Sequence, residues 1–160
     1  PASVWGVMVW SEPPAARSGA RDNAVAIPAV ADGTSNTLLF GEKWVHPQQY
    51  TTGAWNDDHG LTSALDQDEM RLGMLAPIPD AVLPTATPAQ MNPGFDYWRD
   101  PLDRAPFPRV GSRFGSAHPG GMTAAMVDGS VRFIRFSVSE AVFTNLGRKD
   151  DGNVVNANDL

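Results

Sequence analysis

Residues 114–136, FGSAHPGGMTAAMVDGSVRFIRF, constrain the fold of this chain more than any other stretch. Two runs of strand-forming residues, Met122 to Val127 and Ser130 to Phe136, flank Asp128-Gly129. That dipeptide tolerates the positive φ angles of a tight two-residue turn. A turn of that kind sets Val127 opposite Ser130, Met126 opposite Val131, Ala124 opposite Phe133 and Met122 opposite Arg135. One face of the expected hairpin is then largely apolar, with Ala124 making room for the Phe133 ring. The other face carries Thr123, Ala125, Val127, Ser130, Arg132 and Ile134 and is mixed.

The hairpin is entered through His118-Pro119-Gly120-Gly121. Proline lacks the amide donor and the glycines accept left-handed angles, so His118 is expected at a bend. The spacing of His118, nine intervening residues and then Asp128-Gly129 resembles the C-terminal signature of a prepilin-like family. So does the flanking Phe-Gly-Ser-Ala-His-Pro-Gly-Gly and Gly-Ser-Val-Arg-Phe-Ile. That family is of unknown function, expanded in planctomycetes and marked by a His-x9-Asp-Gly pattern. A second block, Val30-Ala31-Asp32-Gly33-Thr34-Ser35-Asn36-Thr37-Leu38-Leu39-Phe40-Gly41-Glu42-Lys43, is similar to the family's DGTSNT-hydrophobic-GEK segment. The segment Val138 to Val155 is similar to its short helix followed by Gly-x-Val-Val. Together these blocks cover roughly a third of the chain, and residues 46–110 match nothing in the pattern.

The resemblance implies a type IV pilin-like or pseudopilin-like protein: a prepilin leader, a long hydrophobic helix, and a globular head outside the inner membrane. It also implies protein partners, through self-assembly or a larger envelope complex, and a periplasmic or cell-surface location. The opening Pro1 to Trp10 is shorter than the roughly 20 apolar residues that span a bilayer and lacks the basic flank of a signal peptide. We therefore expect a single globular domain over 1–160, the C-terminal part of a longer protein attached to membrane only through a helix that precedes it.

At 160 residues the chain is long enough for one core without staples. It has no cysteine, which excludes disulfides, thiol catalysis and cysteine-ligated metal centres. A net charge of −6 with only 12 scattered basic residues argues against a nucleic-acid partner. With 15 Gly and 14 Pro and few charged residues, the chain reads as loop-rich and mostly β.

Residues 1–10 alternate loosely and read as a strand, and 11–24 as loop. Asp32 to Asn36 is a run of turn residues feeding a strand over Thr37 to Val45, in which Leu38, Phe40 and Trp44 share a face. Asp32 and Asn36 have two readings, an ion site or the satisfaction of local backbone amides, and the second is preferred. The acidic cluster Asp57, Asp58, Asp66 and Asp68 with Glu69 supplies oxygens of the kind calcium takes, but without the spacing of a twelve-residue calcium loop. A solvated acidic loop is the preferred reading. Some pseudopilins hold calcium in such loops, so Ca2+ stays open as an implication of the resemblance.

Residues 77–108 hold eight of the 14 prolines, which makes regular structure there improbable. Phe95, Tyr97 and Trp98 in that stretch either form a contact surface or pin it to the core. Near the C-terminus, Ser137 and Glu140 form a capping-box pattern. Val138, Val142 and Leu146 give helical spacing up to Gly147, for a helix of about ten residues. Lys149 to Leu160 reads as a short strand and a frayed tail.

No enzyme motif emerges. Pairing His118 with Asp128 would need to bridge nearly 20 Å of extended strand, at about 3.3 Å per residue. There is no Gly-x-Ser-x-Gly, His-Glu-x-x-His, phosphate loop or Gly-x-Gly-x-x-Gly. His118 is read as a bend residue, the alternative being a metal ligand with Asp57, Asp58 or His59.

The expected fold is therefore α+β: an antiparallel sheet with the C-terminal hairpin near its centre, one short helix and many loops, as in a pilin-like globular head. His118, Pro119, Gly120, Gly121, Asp128, Gly129, Asp32 and Gly33 are its structural motif residues, and no catalytic residue is assigned. The expected function is structural and interactive. Its rivals are an accessory module binding carbohydrate or protein through Trp55, Tyr97 and Trp98, and a metal-dependent enzyme using His46, His59, His118, Asp57 and Asp58.

Overall fold

A computed structural model describes residues 25–51, 71–81 and 113–160. The expected strand over 1–10, the acidic cluster Asp57, Asp58, Asp66 and Asp68, and the aromatics Trp55, Tyr97 and Trp98 lie outside the described residues. So does all of the proline-rich stretch from residue 82 to 108.

The architecture is α+β with much loop, as the sequence implies. Strands β1 (Leu38–Gly41), β4 (Gly121–Met126) and β5 (Val131–Arg135) form an antiparallel sheet in the order β1-β4-β5. Strands β2 (Ile78–Pro79) and β3 (Gly115–Ser116) form a short parallel pair. The helix α1 (Glu140–Leu146) covers the inner face of the larger sheet. Three short 3-10 turns, Ile27–Ala29, Pro47–Gln49 and Ala157–Asp159, complete the described elements.

The hairpin forms where expected but in a different register. Met126 donates to the carbonyl of Ser130 at 2.8 Å, and the Gly129 amide donates to the Met126 carbonyl at 2.9 Å. Gly129 has φ +83. This is a three-residue loop, a tight turn followed by a left-handed glycine, in place of the two-residue turn. Met122 consequently pairs with Ile134 and Thr123 with Phe133. A shift of one residue moves every side chain of β5 to the opposite face. Ile134 is fully buried with Met122, Ala124 and Met126, while Val131 and Phe133 are 67% and 53% exposed.

Strand β1 departs from simple alternation for a similar reason. Leu38 pairs with Met126, but an irregularity before Phe40 sets Phe40 opposite Ala125. An extra residue in one strand reverses the facing of the residues beyond it. Leu38 is buried and Phe40 is 56% exposed, so the two do not share a face as the alternation implied. Gly41 returns to the inner face, where a Cβ would stand 2.9 Å from the Phe114 ring.

Under the sheet, Leu38, Phe114, Met122, Met126, Ile134, Phe143 and Leu146 belong to one buried cluster. Phe114 and Phe143 meet edge to face with centroids 5.6 Å apart, a favoured aromatic geometry. The helix begins two residues later than the Ser137 capping pattern suggests. Ser139 is the N-cap, its hydroxyl accepting from the Val142 amide at 3.2 Å. Val138, just before the cap, and Phe143 are both in the core, the arrangement of a hydrophobic staple.

The helix ends at Gly147 without a left-handed cap, at φ −75. Glycine is required there by proximity. A Cβ on Gly147 would lie 2.5 Å from the Gly73 carbonyl oxygen, and one on Gly73 would lie 2.9 Å from the Gly147 Cα. Thr144 Oγ1 donates to the Met74 carbonyl at 3.3 Å beside this contact.

Two further expectations are corrected. Residues 149–160 form no strand and do not fray: Val155 and Leu160 are buried in the core cluster, and Arg135 Nη2 donates to the Asn158 carbonyl at 2.9 Å. The start of the proline-rich stretch is regular. Ile78 and Asp80 donate to the carbonyls of Phe114 and Ser116 at 3.1 and 3.0 Å. The intervening Pro79 needs no donor at that position of an edge strand.

The two registers predict opposite mutational outcomes. Ile134→Ala should destabilise the domain by about 2–4 kcal/mol, the cost of a buried cavity, and Phe133→Ala by less than about 1 kcal/mol. Urea unfolding of both variants checks this.

Candidate functional site

The signature residues converge on two places, one at each end of β4. At the entrance to β4, Glu42 lies just beyond β1 and is bound on several sides. Its backbone amide donates to the Thr123 carbonyl at 3.3 Å, and its carbonyl accepts from Gly115 at 3.0 Å. Its carboxylate Oε2 accepts from the Thr123 amide at 2.6 Å. The other oxygen, Oε1, stands 3.6 Å from His118 Nε2.

His118 is at a bend, as expected. Its amide donates to Ser116 Oγ at 3.2 Å, which tightens the turn between β3 and β4. Its side chain is 63% exposed. A His–carboxylate pair this open to water is worth at most about 1 kcal/mol. Among the described residues no hydroxyl hydrogen-bonds the imidazole. Gly121, which opens β4, is needed for close approach, since a Cβ there would stand 2.2 Å from the Ile134 carbonyl oxygen.

At the other end of β4 the Asp128 carboxylate is held by Ser130, whose amide donates to Oδ1 at 2.8 Å. Bonds from the Ser130 hydroxyl and amide keep the Asp128 carboxyl below the usual carboxylate range. His118 and Asp128 thus serve different ends of the strand and do not form a pair.

The hairpin tip docks on the turn at 32–37. The Val127 amide donates to the Thr37 carbonyl at 2.9 Å, and the Asp128 amide to the Thr34 carbonyl at 3.0 Å. Gly33 supports that turn with φ +94. Asn36 Nδ2 donates to the Asp32 carbonyl at 3.2 Å, a local backbone contact as expected but to a carbonyl in place of an amide.

Asp32 does something the sequence does not announce. Its buried carboxylate accepts from the amides of Asp151 and Gly152 at 2.8 and 2.7 Å, and its own amide donates to the Lys149 carbonyl at 3.1 Å. The preferred reading, satisfaction of backbone amides, is right in kind and wrong in range, for the amides lie 119 and 120 positions away.

Sequence reasoning also missed a third junction. Asp80 is buried, its Oδ1 accepting from the Val45 amide at 3.2 Å and its Oδ2 from the Tyr50 hydroxyl at 2.6 Å. The only signal is a carboxylate directly after Pro77-Ile78-Pro79. Loss of solvent around the hydroxyl, the bond to Asp80 and the repulsion of that charge for a phenolate push Tyr50 up to about 12. Half of Tyr50 still faces water, so the short bond to Asp80 is the firmer restraint. His46 is buried edge-on to Trp44, at 6.1 Å between ring centroids, and its Nδ1 accepts from the Gln48 amide at 3.2 Å.

Among the described residues no group of three or more His, Asp and Glu side chains could hold a metal ion. Among them, too, no helix is long and apolar enough to cross a membrane. The model of a family described as protein of unknown function (DUF1559) matches residues 4–140, a span that takes in both ends of β4. No curated protein and no solved structure matches the chain.

Asp32→Ala should cost about 2–4 kcal/mol by removing two charge-assisted bonds, and Asp32→Asn less, because one acceptor oxygen remains. Chemical denaturation resolves the difference. The Tyr50 bond has a pH signature. Its pKa is raised on folding, so its contribution is complete below about pH 10, the unfolded value, and lost as pH rises towards about 12. The stability deficit of Tyr50→Phe against the parent should therefore shrink over that range, with a phenolate absorbance titration of the parent locating the transition.

Proposed function

The chain belongs to the DUF1559 family of proteins of unknown function, and we propose that it is a non-enzymatic structural and interaction domain. In this reading it is the globular head of a pilin-like or pseudopilin-like subunit, in the cell envelope or outside the cell. It works through surface contact with protein partners and performs no covalent chemistry.

The observation that carries the reading is how the carboxylates of the motif blocks are used. Asp32, Glu42 and Asp128 each accept backbone amides of the chain itself, and Asp80 does the same from β2's end. A general base needs an oxygen turned towards a substrate proton; in each of these carboxylates at least one oxygen is already held by a backbone amide of the fold. The signature accordingly reads as a set of fasteners that keep one sheet and its loops in fixed relation. What such a scaffold offers outward is surface, including the exposed apolar residues Phe40, Val131 and Phe133 on the outer face of the sheet.

The test is isolation of the native protein from its source with assemblies intact. Intact mass and N-terminal sequencing would be combined with immunolabelled electron microscopy. A hydrophobic helix preceding Pro1 and label on filaments or on an envelope complex are the expected results. A soluble, unassembled protein with Pro1 as its mature terminus would overturn the proposal.

A further inference from the structure

Strand β5 ends the sheet, and among the described residues no strand pairs with its outer edge. The bonds from Met126 to Ser130 and from Phe136 to Gly120 set the alternation of the β4–β5 ladder. Residues 132 and 134 therefore turn their peptide groups towards β4, and Val131, Phe133 and Arg135 turn theirs outward. The Arg135 carbonyl accepts from Val138 at 3.0 Å; among the described residues no other bond is made to this outward row. The side chains of Val131 and Phe133 stand exposed beside it. An open edge with apolar side chains is a template for another strand.

We propose that a second copy of this chain pairs with β5, antiparallel across a two-fold axis at Phe133, joining two three-stranded sheets edge to edge. The strand Val131-Arg132-Phe133-Ile134-Arg135 is self-complementary in that register. Phe133 meets Phe133, Val131 meets Arg135, and Arg132 meets Ile134, so no two arginines oppose each other. A slip centred on Arg132 would set like charges face to face, which disfavours it. The antiparallel direction also brings the partner's hairpin tip, with its exposed Asp128, towards the end of β5 that carries Arg135. That is charge complementarity repeated twice by the symmetry.

The opposite edge of the sheet is less suited to receive β5. Strand β1 has only four residues and is interrupted before Phe40, which blunts it for head-to-tail pairing. A contact of one short strand falls well below the roughly 1,600 Å² of a standard stable interface. Free chains therefore associate weakly, and copies held close in an assembly pair readily. The inference rests on the proposed role only for that crowding. The contact itself forms or fails on the purified chain, wherever the protein resides.

The chain has no cysteine, so a single introduced thiol reports without background. Across the axis two copies of residue 133 come about 5.5 Å apart, within disulfide reach, whereas two copies of residue 131 stand about 13 Å apart and cannot bond. Under mild oxidation at high concentration, Phe133→Cys should give a disulfide-linked dimer on a non-reducing gel. Val131→Cys alone should remain monomeric, and Val131→Cys mixed with Arg135→Cys should yield the mixed dimer. In the unmodified chain, amide exchange at Val131, Phe133 and Arg135 should slow with rising concentration while that at Arg132 and Ile134 stays constant. The proposal fails if Phe133→Cys cross-links no faster than Val131→Cys, or if the outward amides exchange at one rate at every concentration.

Discussion

The rest of the described structure depends on the Asp32 carboxylate and the two amides it holds. Residues 32–37 form a turn whose side chain at Asp32 grips the 151–152 segment and whose carbonyls at Thr34 and Thr37 receive the hairpin tip. One short turn therefore fixes two distant pieces of chain against each other. A charged acceptor gives shorter and stronger bonds than a neutral one, and burial sharpens the requirement that both oxygens be met. With the tip and the 151–152 segment fixed, α1 between them lies against the inner sheet face, where Phe143 and Leu146 reach Phe114, Met122 and Ile134.

Much of this was legible in the sequence because local chemistry and tertiary need agree. Asp128-Gly129 marks the turn, the alternation of Met122, Ala124 and Met126 marks the inner face of β4, and His118-Pro119-Gly120-Gly121 marks the bend. The register of β5 was not legible. Asp-Gly serves a two-residue and a three-residue loop alike, and Val131 with Phe133 offers a more apolar face than Ile134 alone. The choice is made by partners distant in sequence. The amides of Val127 and Asp128 are taken by Thr37 and Thr34, which draws Val127 into the loop and away from pairing with Ser130. Phe40 eluded simple alternation for a related reason, since one extra residue in β1 outweighs its hydrophobic pattern.

The candidate site was legible by residue and not by partner. Asp32, Asp128 and His118 stand out in sequence as polar residues at turns, and in the fold each lies at a turn or bend. Their contacts, to Asp151 and Gly152, to Ser130, and to Glu42, range from 2 to 120 positions. Asp80 and Tyr50 carry no pattern at all, because a lone carboxylate meeting a lone phenol across a fold leaves no periodicity to read. Glu42 interrupts the apolar alternation after β1. That interruption is the trace of its task, to hold the Thr123 amide where β4 begins.

The long reach of the Asp32 clamp has a consequence for chain length. Joining residues 32 and 151 closes a loop of 119 positions. The entropy of closing a flexible loop grows only with the logarithm of its length, about 0.6 kcal/mol for each doubling. Lengthening the chain between the two anchors would thus weaken the clamp very little, provided the added residues leave the sheet and its core undisturbed. Proteins built on this closure can differ widely in the length of their middle segments while keeping the same ends, and with them the same junction of turn, hairpin and tail.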